Sequence, residues 1–139
     1  RSGAAFDVVA IAASAGGLSA LSTVLGELPG DFPVPIAIVQ HLDPRHRSLM
    51  DQILDKRTPL DVTQAGEGDE MAPGCVYIAP PNHHLLVNSD GTLSLSQSEL
   101  VHFVRPSADL LFESMAASYG EGAIAVVLTG SGSDGEMGF

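Results

Sequence analysis

Three continuous runs of apolar residues divide this chain and predict the centre of a sheet. The runs lie at 7–13, 34–40 and 124–128, and none of them alternates with polar residues. Such uninterrupted runs are typical of parallel strands that are buried on both faces. A fourth apolar segment, 75–79, is the stronger of two short strands predicted within 60–80, where the polar turn 66–69 separates them.

Apolar residues at helical spacing predict three helices between these strands. Helical patterns occupy 18–28, 45–56 and 108–119. A proline and a glycine at 29–30 end the first helix, Ser107 is placed to cap the third, and Gly120 ends it. Two shorter apolar segments at 85–87 and 92–95 flank Asp90 and Gly91, and Asp-Gly between such segments predicts a β-hairpin.

This succession predicts an α/β domain with a doubly wound, mostly parallel twisted sheet and a β-hairpin insertion. The last apolar strand needs a covering helix behind it, so we expect the domain to be incomplete at the C-terminus. Residues 6–139 are interpreted as this domain and residues 1–5 as a tag or linker.

The composition indicates which kinds of partner are disfavoured and which cellular compartment is expected. The chain has 139 residues, is 45% hydrophobic and carries a formal charge of −11, which opposes binding to nucleic acid or an anionic membrane. It lacks an apolar run long enough for membrane insertion. Its single cysteine, Cys75, fits a reducing compartment, so a cytoplasmic location is expected.

The basic residues are concentrated in one segment. Four of the six lysines and arginines fall within 45–57. This segment is interpreted either as a solvated helix face or as a docking patch for an acidic substrate.

Candidate chemistry follows three of the predicted strands. Ser14 follows the first strand, His41 the second, and Asp134 lies just past the last. Ligands of open parallel sheets bind beyond the carboxyl ends of the strands. A serine becomes a nucleophile when a histidine takes its proton and a carboxylate orients that histidine, so the three residues form a candidate catalytic relay.

The sequence around these residues also fits simpler roles. Ser14 before two glycines is typical of a helix cap or a phosphate-binding turn, His41 could cap the next helix, and Asp134 could be a turn residue. The loop 130–134 offers backbone N–H groups for an oxyanion. These patterns left a hydrolase, a phosphate- or nucleotide-binding module and a non-catalytic regulatory or receptor-binding domain open.

Five short motifs resemble the catalytic domain of CheB-type protein-glutamate methylesterases. They are AASAGG at 12–17, VQH at 39–41, VYIAP at 76–80, RPS at 105–107 and LTGSGSDG at 128–135. The resemblance runs in register from about residue 6 to the end, and QHLDP at 40–44 is most similar to methylesterases fused to a chemotaxis methyltransferase. The family's usual receiver domain is absent from this sequence.

The resemblance implies hydrolysis of glutamate methyl esters on chemoreceptor helices, releasing methanol, with glutamine deamidation as a related activity. Ser14 would be the nucleophile, His41 the general base and then acid, and Asp134 the orienting carboxylate.

Residues implied to stabilise the oxyanion or bind substrate are Ala15, Gly16, Ser131 and Arg105, although Arg105 could equally form a structural salt bridge. No metal or organic cofactor is implied. The implied partners are methyl-accepting chemoreceptor helices or a related methylated protein. His84 matches a histidine of the family and is expected to line the cleft or to bond locally.

Overall fold

The computed structural model describes residues 7–13, 18–40, 50–97 and 107–128. Its strands are β1 (Val8–Ala13), β2 (Ile36–Gln40), β3 (Asp61–Gln64), β4 (Cys75–Ile78), β5 (His84–Val87), β6 (Leu93–Ser96) and β7 (Ala123–Leu128). Its helices are α1 (Leu18–Gly26), α2 (Met50–Asp55) and α3 (Ala108–Tyr119), and a 3₁₀ turn at Gly120–Gly122 joins α3 to β7. None of the helices in these ranges is long and apolar enough to cross a membrane.

Five strands form one parallel sheet in the order β3-β4-β2-β1-β7. The hairpin β5–β6 is a separate antiparallel pair. The predicted α/β fold, with its mostly parallel sheet and hairpin insertion, is therefore confirmed.

The alternating residues of β1 explain why its apolar run is continuous. Val9 and Ile11 face a core that contains leucines of α1 and α2, whereas Val8 and Ala10 face a core built by α3 and the hairpin. A strand with a packed layer on each face has no position for a polar residue. The sheet is thus the middle of three layers.

The boundaries of several elements differ from those predicted, and for two of them the structure shows the reason. α1 ends at Gly26, because the chain turns through Glu27 and Leu28 before the predicted proline stop. β6 begins at Leu93, because Thr92 instead bridges Glu70 outside the hairpin. The third helix has its predicted ends: the Ser107 hydroxyl accepts a hydrogen bond from the Leu110 N–H at 3.3 Å.

The last strand, which was expected to need a covering helix, is partly exposed within the described residues. Val127 is 65% exposed, and no residue of β7 is fully buried. β7 is the outermost strand on its side of the described sheet, with β1 as its only neighbour there. A strand with one neighbour loses less surface to packing than a central strand does.

Because its strands all run in the same direction, the sheet has a carboxyl end and an amino end. The carboxyl edge is the end at which Ala13, Gln40, Ile78 and Leu128 close β1, β2, β4 and β7. The amino edge is the opposite end, where these strands begin. Helices that connect parallel strands run back from the carboxyl edge to the amino edge.

Candidate active site

The ends of the three adjacent strands β2, β1 and β7 are in register. Ala13 pairs with Gln40 of β2 on one side and with Leu128 of β7 on the other. Neighbouring strands lie about 4.8 Å apart. The sheet therefore brings together the strand ends that precede the three candidate catalytic residues.

The predicted site residues themselves lie outside the described residues: Ser14, Ala15, Gly16, His41, Arg105, Ser131 and Asp134. Ser14 directly follows Ala13 and His41 directly follows Gln40, whereas Asp134 follows Leu128 after the segment 129–133. Their mutual geometry remains a prediction.

The strand ends that precede Ser14 and His41 are closely packed. Ala13 is 4% exposed and Gln40, the last residue of β2, is 6% exposed. Side chains that follow buried strand ends start from a rigid frame, which is the setting that precise catalytic geometry needs.

The connection from β4 to β5 extends the carboxyl edge beside β2. The Ala79 N–H donates to the Ile38 carbonyl at 2.9 Å and so continues the strand pairing past Ile78. Beyond it, Asn82 has a positive φ of 62°, and His83 Nδ1 donates to the Pro81 carbonyl at 2.8 Å. This turn delivers the chain to His84 at the start of β5.

The first turn of α3 also lies at the carboxyl edge. The C-terminal end of α3 leads through Gly120–Gly122 into the start of β7, which is at the amino edge. A helix of 12 residues is about 18 Å long, so Ser107 at the other end lies toward the carboxyl edge. The Ser107 N–H donates there to His84 Nδ1 at 3.1 Å.

Two serines of α3 tie the helix to the hairpin, and neither was singled out in the sequence. The Val87 N–H donates to Ser114 Oγ at 2.9 Å, and Ser118 Oγ donates to the Val87 carbonyl at 3.0 Å. Their i, i+4 spacing puts both on one helix face, which is the signal that could have identified them. His84, which was expected to line the cleft or bond locally, makes the local bond.

The basic segment is divided by the fold. Asp55, which ends α2, accepts a hydrogen bond from the Val62 N–H at the start of β3 through its Oδ1, at 3.0 Å. Lys56 and Arg57 therefore lie at the amino edge, opposite the strand ends that precede Ser14. They border a surface groove of about 360 Å³ lined by Gln52, Ile53, Lys56 and Arg57. Lys56 and Arg57 are thus on the wrong side of the sheet for a docking patch at the carboxyl edge. Arg45 and Arg47 lie outside the described residues.

The shifted pKa values of the described residues arise from burial of two tyrosines, Tyr77 and Tyr119, and from local hydrogen bonds to Asp90. Burial raises the pKa of Tyr77, whose hydroxyl donates to the Glu70 carbonyl at 3.1 Å and accepts from the Ala72 N–H at 2.9 Å. Hydrogen bonds from Thr92 lower the pKa of Asp90. Within the described ranges, no group of three or more His, Cys, Asp or Glu side chains could hold a metal.

The parallel sheet with a packed layer on each face defines an α/β domain. Residues 9–139 match the family model described as CheB methylesterase. The crystal structure of the Thermotoga maritima CheB methylesterase catalytic domain superposes with a TM-score of 0.84 at 37% identity, covering 95% of this chain and 71% of that one. The chain therefore belongs to the CheB methylesterase family.

Relatives from other bacteria agree with this assignment. A protein of Leptospira interrogans (strain Fiocruz L1-130) is 44% identical over 133 residues, which are 96% of this chain and 69% of the relative. A Myxococcus xanthus (strain DK1622) protein named protein-glutamate methylesterase/protein-glutamine glutaminase 4 is 44% identical over 128 residues, covering 92% of this chain and 36% of the relative. The name of the Myxococcus relative and the description of the family model confirm the predicted class, a carboxylic ester hydrolase of the methylesterase type.

Proposed function

We propose that this chain is the catalytic domain of a chemotaxis protein-glutamate methylesterase. Its substrates are glutamate methyl esters on chemoreceptor helices, and its products are glutamate and methanol. The observation that carries the proposal is the register of Ala13 with Gln40 and Leu128, which aligns the three strand ends that precede Ser14, His41 and Asp134. The names of the relatives supply the reaction class.

In the proposed reaction, Ser14 Oγ attacks the ester carbonyl carbon while His41 accepts the hydroxyl proton. The tetrahedral intermediate collapses, the C–O bond to the methoxy group breaks, and His41 returns its proton to give methanol. Water, deprotonated by His41, then attacks the acyl carbon, the bond from that carbon to Ser14 Oγ breaks, and His41 returns the proton to Oγ, which releases glutamate and free Ser14. Asp134 accepts the other imidazole N–H and holds the ring in the required tautomer.

Backbone N–H groups around Ala15, Gly16 and Ser131 are proposed to stabilise the oxyanion. α1 begins at Leu18, four residues after Ser14 in the sequence, so the positive end of its dipole is proposed to support negative charge in this region. The segment 129–133 between β7 and Asp134 spans up to about 20 Å when extended, which is ample to reach the neighbouring strand ends.

Release of the product is proposed to depend on the charge of the whole domain. The methyl ester is neutral, whereas the glutamate formed is an anion that meets a chain of formal charge −11. Repulsion between the two favours release of the product.

Arg105 is proposed to bind a carboxylate or a carbonyl of the receptor helix. Glutamine deamidation would follow the same acyl-transfer steps with ammonia as the leaving group.

The proposed location is the cytoplasm, where chemoreceptor signalling helices are accessible, and the proposed domain spans residues 6–139. Receptor helices are the proposed partner, bound at the carboxyl edge rather than at the groove beside Lys56 and Arg57.

Methanol release from methylated receptor membranes tests the proposal. Ser14→Ala is expected to lower the rate by about 10⁴-fold or more, because the nucleophile is removed. Ser19→Ala, an exposed serine of α1, is the matched control and is expected to retain the parent rate. Receptor binding without methanol release by the parent chain would identify a non-catalytic binding domain instead.

A further inference from the structure

A basic groove lies at the amino edge, and the proposed reaction has no use for it. Among the residues that the structure describes, Lys56 is the one lysine and Arg57 the one arginine, and both are exposed. Together with Gln52 and Ile53 they line this basic groove, whose volume is about 360 Å³. The chain as a whole has a formal charge of −11, so the two neighbouring cations contrast with its overall charge.

We propose that the basic groove binds a short acidic segment of a partner protein. Lys56 and Arg57 each face a carboxylate of that segment, and Ile53 contacts an apolar side chain beside the carboxylates. Ligand pockets have volumes of about 300–1,000 Å³, so a groove near the lower limit takes a segment of a few residues. The inference does not rest on the proposed function, because the basic groove and the proposed active site lie at opposite edges of the sheet.

The positions of α2 that could pair with these cations carry neutral side chains. Ion pairs within a helix form between residues three or four positions apart. Residue 52, four positions before Lys56, is a glutamine, and residue 53, four positions before Arg57, is an isoleucine. The Asp55 carboxylate accepts the Val62 N–H instead, at 3.0 Å. Within the described residues neither cation forms an ion pair with a carboxylate, so both are available to an anion from outside.

Arg57 is held in place before any partner binds. Its guanidinium donates to Ser22 Oγ of α1 at 3.0 Å, and its backbone N–H donates to the Leu54 carbonyl at 2.8 Å. The next residue, Thr58, donates through Oγ1 to the Leu25 carbonyl at 2.6 Å. A guanidinium has five N–H donors, so one bond to a neutral hydroxyl leaves donors for a carboxylate. A cation that is already ordered loses less conformational entropy on binding.

The charge around the basic groove favours a short acidic segment over a larger anionic surface. Nucleic acids and anionic membranes carry many negative charges, and an acidic chain repels those that extend past the two cations. Three acids, Asp51, Asp55 and Asp61, are close to these cations in the sequence but do not line the groove. A segment with two carboxylates and one apolar residue matches the cations and the half-buried Ile53 without extending onto these acids.

Binding of a labelled peptide tests the proposal. The probe is fluorescein-labelled Gly-Glu-Glu-Leu-Glu-Glu, and the control peptide has glutamine in place of every glutamate. We expect saturable binding of the probe in fluorescence anisotropy, weakened as NaCl is raised from about 50 to 300 mM, and at least about fivefold weaker binding of the control. Equal binding of the two peptides, or binding of neither, would overturn the proposal.

Two double variants with the same change of charge locate the site. Lys56→Gln/Arg57→Gln removes both cations, whereas Ala116→Glu/Ala117→Glu adds two negative charges at exposed positions of α3, on the other face of the sheet. The affinity for the probe is expected to fall about fivefold or more in the first variant and less than about twofold in the second. Equal losses would show that the probe responds to the charge of the whole chain, and the proposed site would be lost.

A single variant protects the test against loss of the bond to Ser22. If Lys56→Gln/Arg57→Gln lowers the thermal unfolding temperature, Lys56→Gln alone is expected to weaken binding of the probe about twofold or more. Vesicles of phosphatidylserine test the alternative anionic surface. If the parent chain binds these vesicles through Lys56 and Arg57 and does not bind the probe, the partner is a membrane surface and the proposal is overturned.

Discussion

The amino edge and the carboxyl edge of the parallel sheet differ in the polar side chains that they bury. At the amino edge, connections are closed by hydrogen bonds of the backbone and of half-buried or exposed side chains: the Asp7 N–H donates to the Gly122 carbonyl at 2.6 Å, and Thr58 Oγ1 donates to the Leu25 carbonyl at 2.6 Å. At the carboxyl edge, the chain buries polar side chains. The buried polar residues of the described ranges are Gln40, His84 and Ser107, and all of them lie there.

This difference indicates which end was shaped for the proposed reaction. Buried polar side chains cost free energy unless they are hydrogen-bonded, and an apolar residue would stabilise the fold more simply. Departures from the simplest stabilising choice are expected where a site must be held in place. The amino edge, in contrast, is joined by tight turns, and its cations Lys56 and Arg57 stay exposed.

After Ser14→Ala, the largest expected effect at the carboxyl edge is that of His41→Gln. If His41 is the general base, its loss leaves Ser14 without a proton acceptor, and kcat/KM for methanol release is expected to fall by about 10³- to 10⁴-fold or more. Steady-state methanol release measures this, with thermal unfolding as the check that the fold persists.

His83→Gln is the matched control for His41→Gln. His83 lies in the turn after β4 and its Nδ1 donates to the Pro81 carbonyl, a bond that the glutamine amide can replace. Its activity is expected to stay within about tenfold of the parent. Equal losses in both variants would show that the edge responds to any histidine substitution, and the role assigned to His41 would be lost.

A smaller effect is expected at the amino edge from Gly26→Ala, and it is a loss of stability rather than of activity. A Cβ at Gly26 would lie 2.9 Å from the Arg57 carbonyl oxygen, so the backbone must shift. Such overpacking costs about 1–3 kcal/mol of unfolding free energy. Denaturant unfolding measures this loss, and kcat/KM of the folded protein is expected to stay unchanged.

Gly30→Ala is the control for this close approach. At Gly30 the nearest atom to a new Cβ is Pro59 Cβ at 3.5 Å, an ordinary contact. Its unfolding free energy is expected to stay near that of the parent. A larger loss of stability in Gly30→Ala than in Gly26→Ala would contradict the geometry of the amino edge.

The sequence predicts the elements of this fold well and their neighbours poorly. Continuous apolar runs predicted β1 and β2, and the capping serine predicted the start of α3, because both signals are local. Strand order is not local: a run of apolar residues predicts burial in the same way at the centre and at the margin of a sheet. That β7 is the outer strand, with β1 as its one neighbour in the described sheet, is therefore visible only in the structure.

The site shows the same division. Parallel strands place their carboxyl ends together whatever their order, so Ser14, His41 and Asp134 could be grouped from the sequence, and their geometry stays a prediction. The separation of Lys56 and Arg57 from this group could have been foreseen, because a helix between parallel strands runs back to the amino edge and these residues lie at the end of the predicted helix 45–56. The His84–Ser107 bond joins residues 23 positions apart, and no pattern in the sequence relates them.

The smallest expected effect comes from pH at the hairpin turn. Gly91 in this turn lies near the Tyr119 hydroxyl, which places the turn by the C-terminal end of α3 at the amino edge. The Asp90 carboxylate accepts hydrogen bonds from Thr92 Oγ1 at 2.6 Å and from the Thr92 N–H at 3.0 Å, and these lower its pKa below the ordinary 3.8. A lowered pKa means that the folded state prefers the carboxylate. The resulting stabilisation is complete above the ordinary value and is lost as pH falls through the lower, folded value.

Protection of the Thr92 amide from exchange is therefore expected to fall as pH is lowered from 5 to 3, by less than about tenfold because the carboxylate is exposed. Asp90→Asn removes the titrating group, so its protection should depend less on pH across this range. Protection that rises toward pH 3 in the parent would contradict the assigned bonds. A local loss at Thr92, with His84 and Ser107 unaffected, would show that the amino edge can be loosened while the carboxyl edge keeps its buried polar contacts.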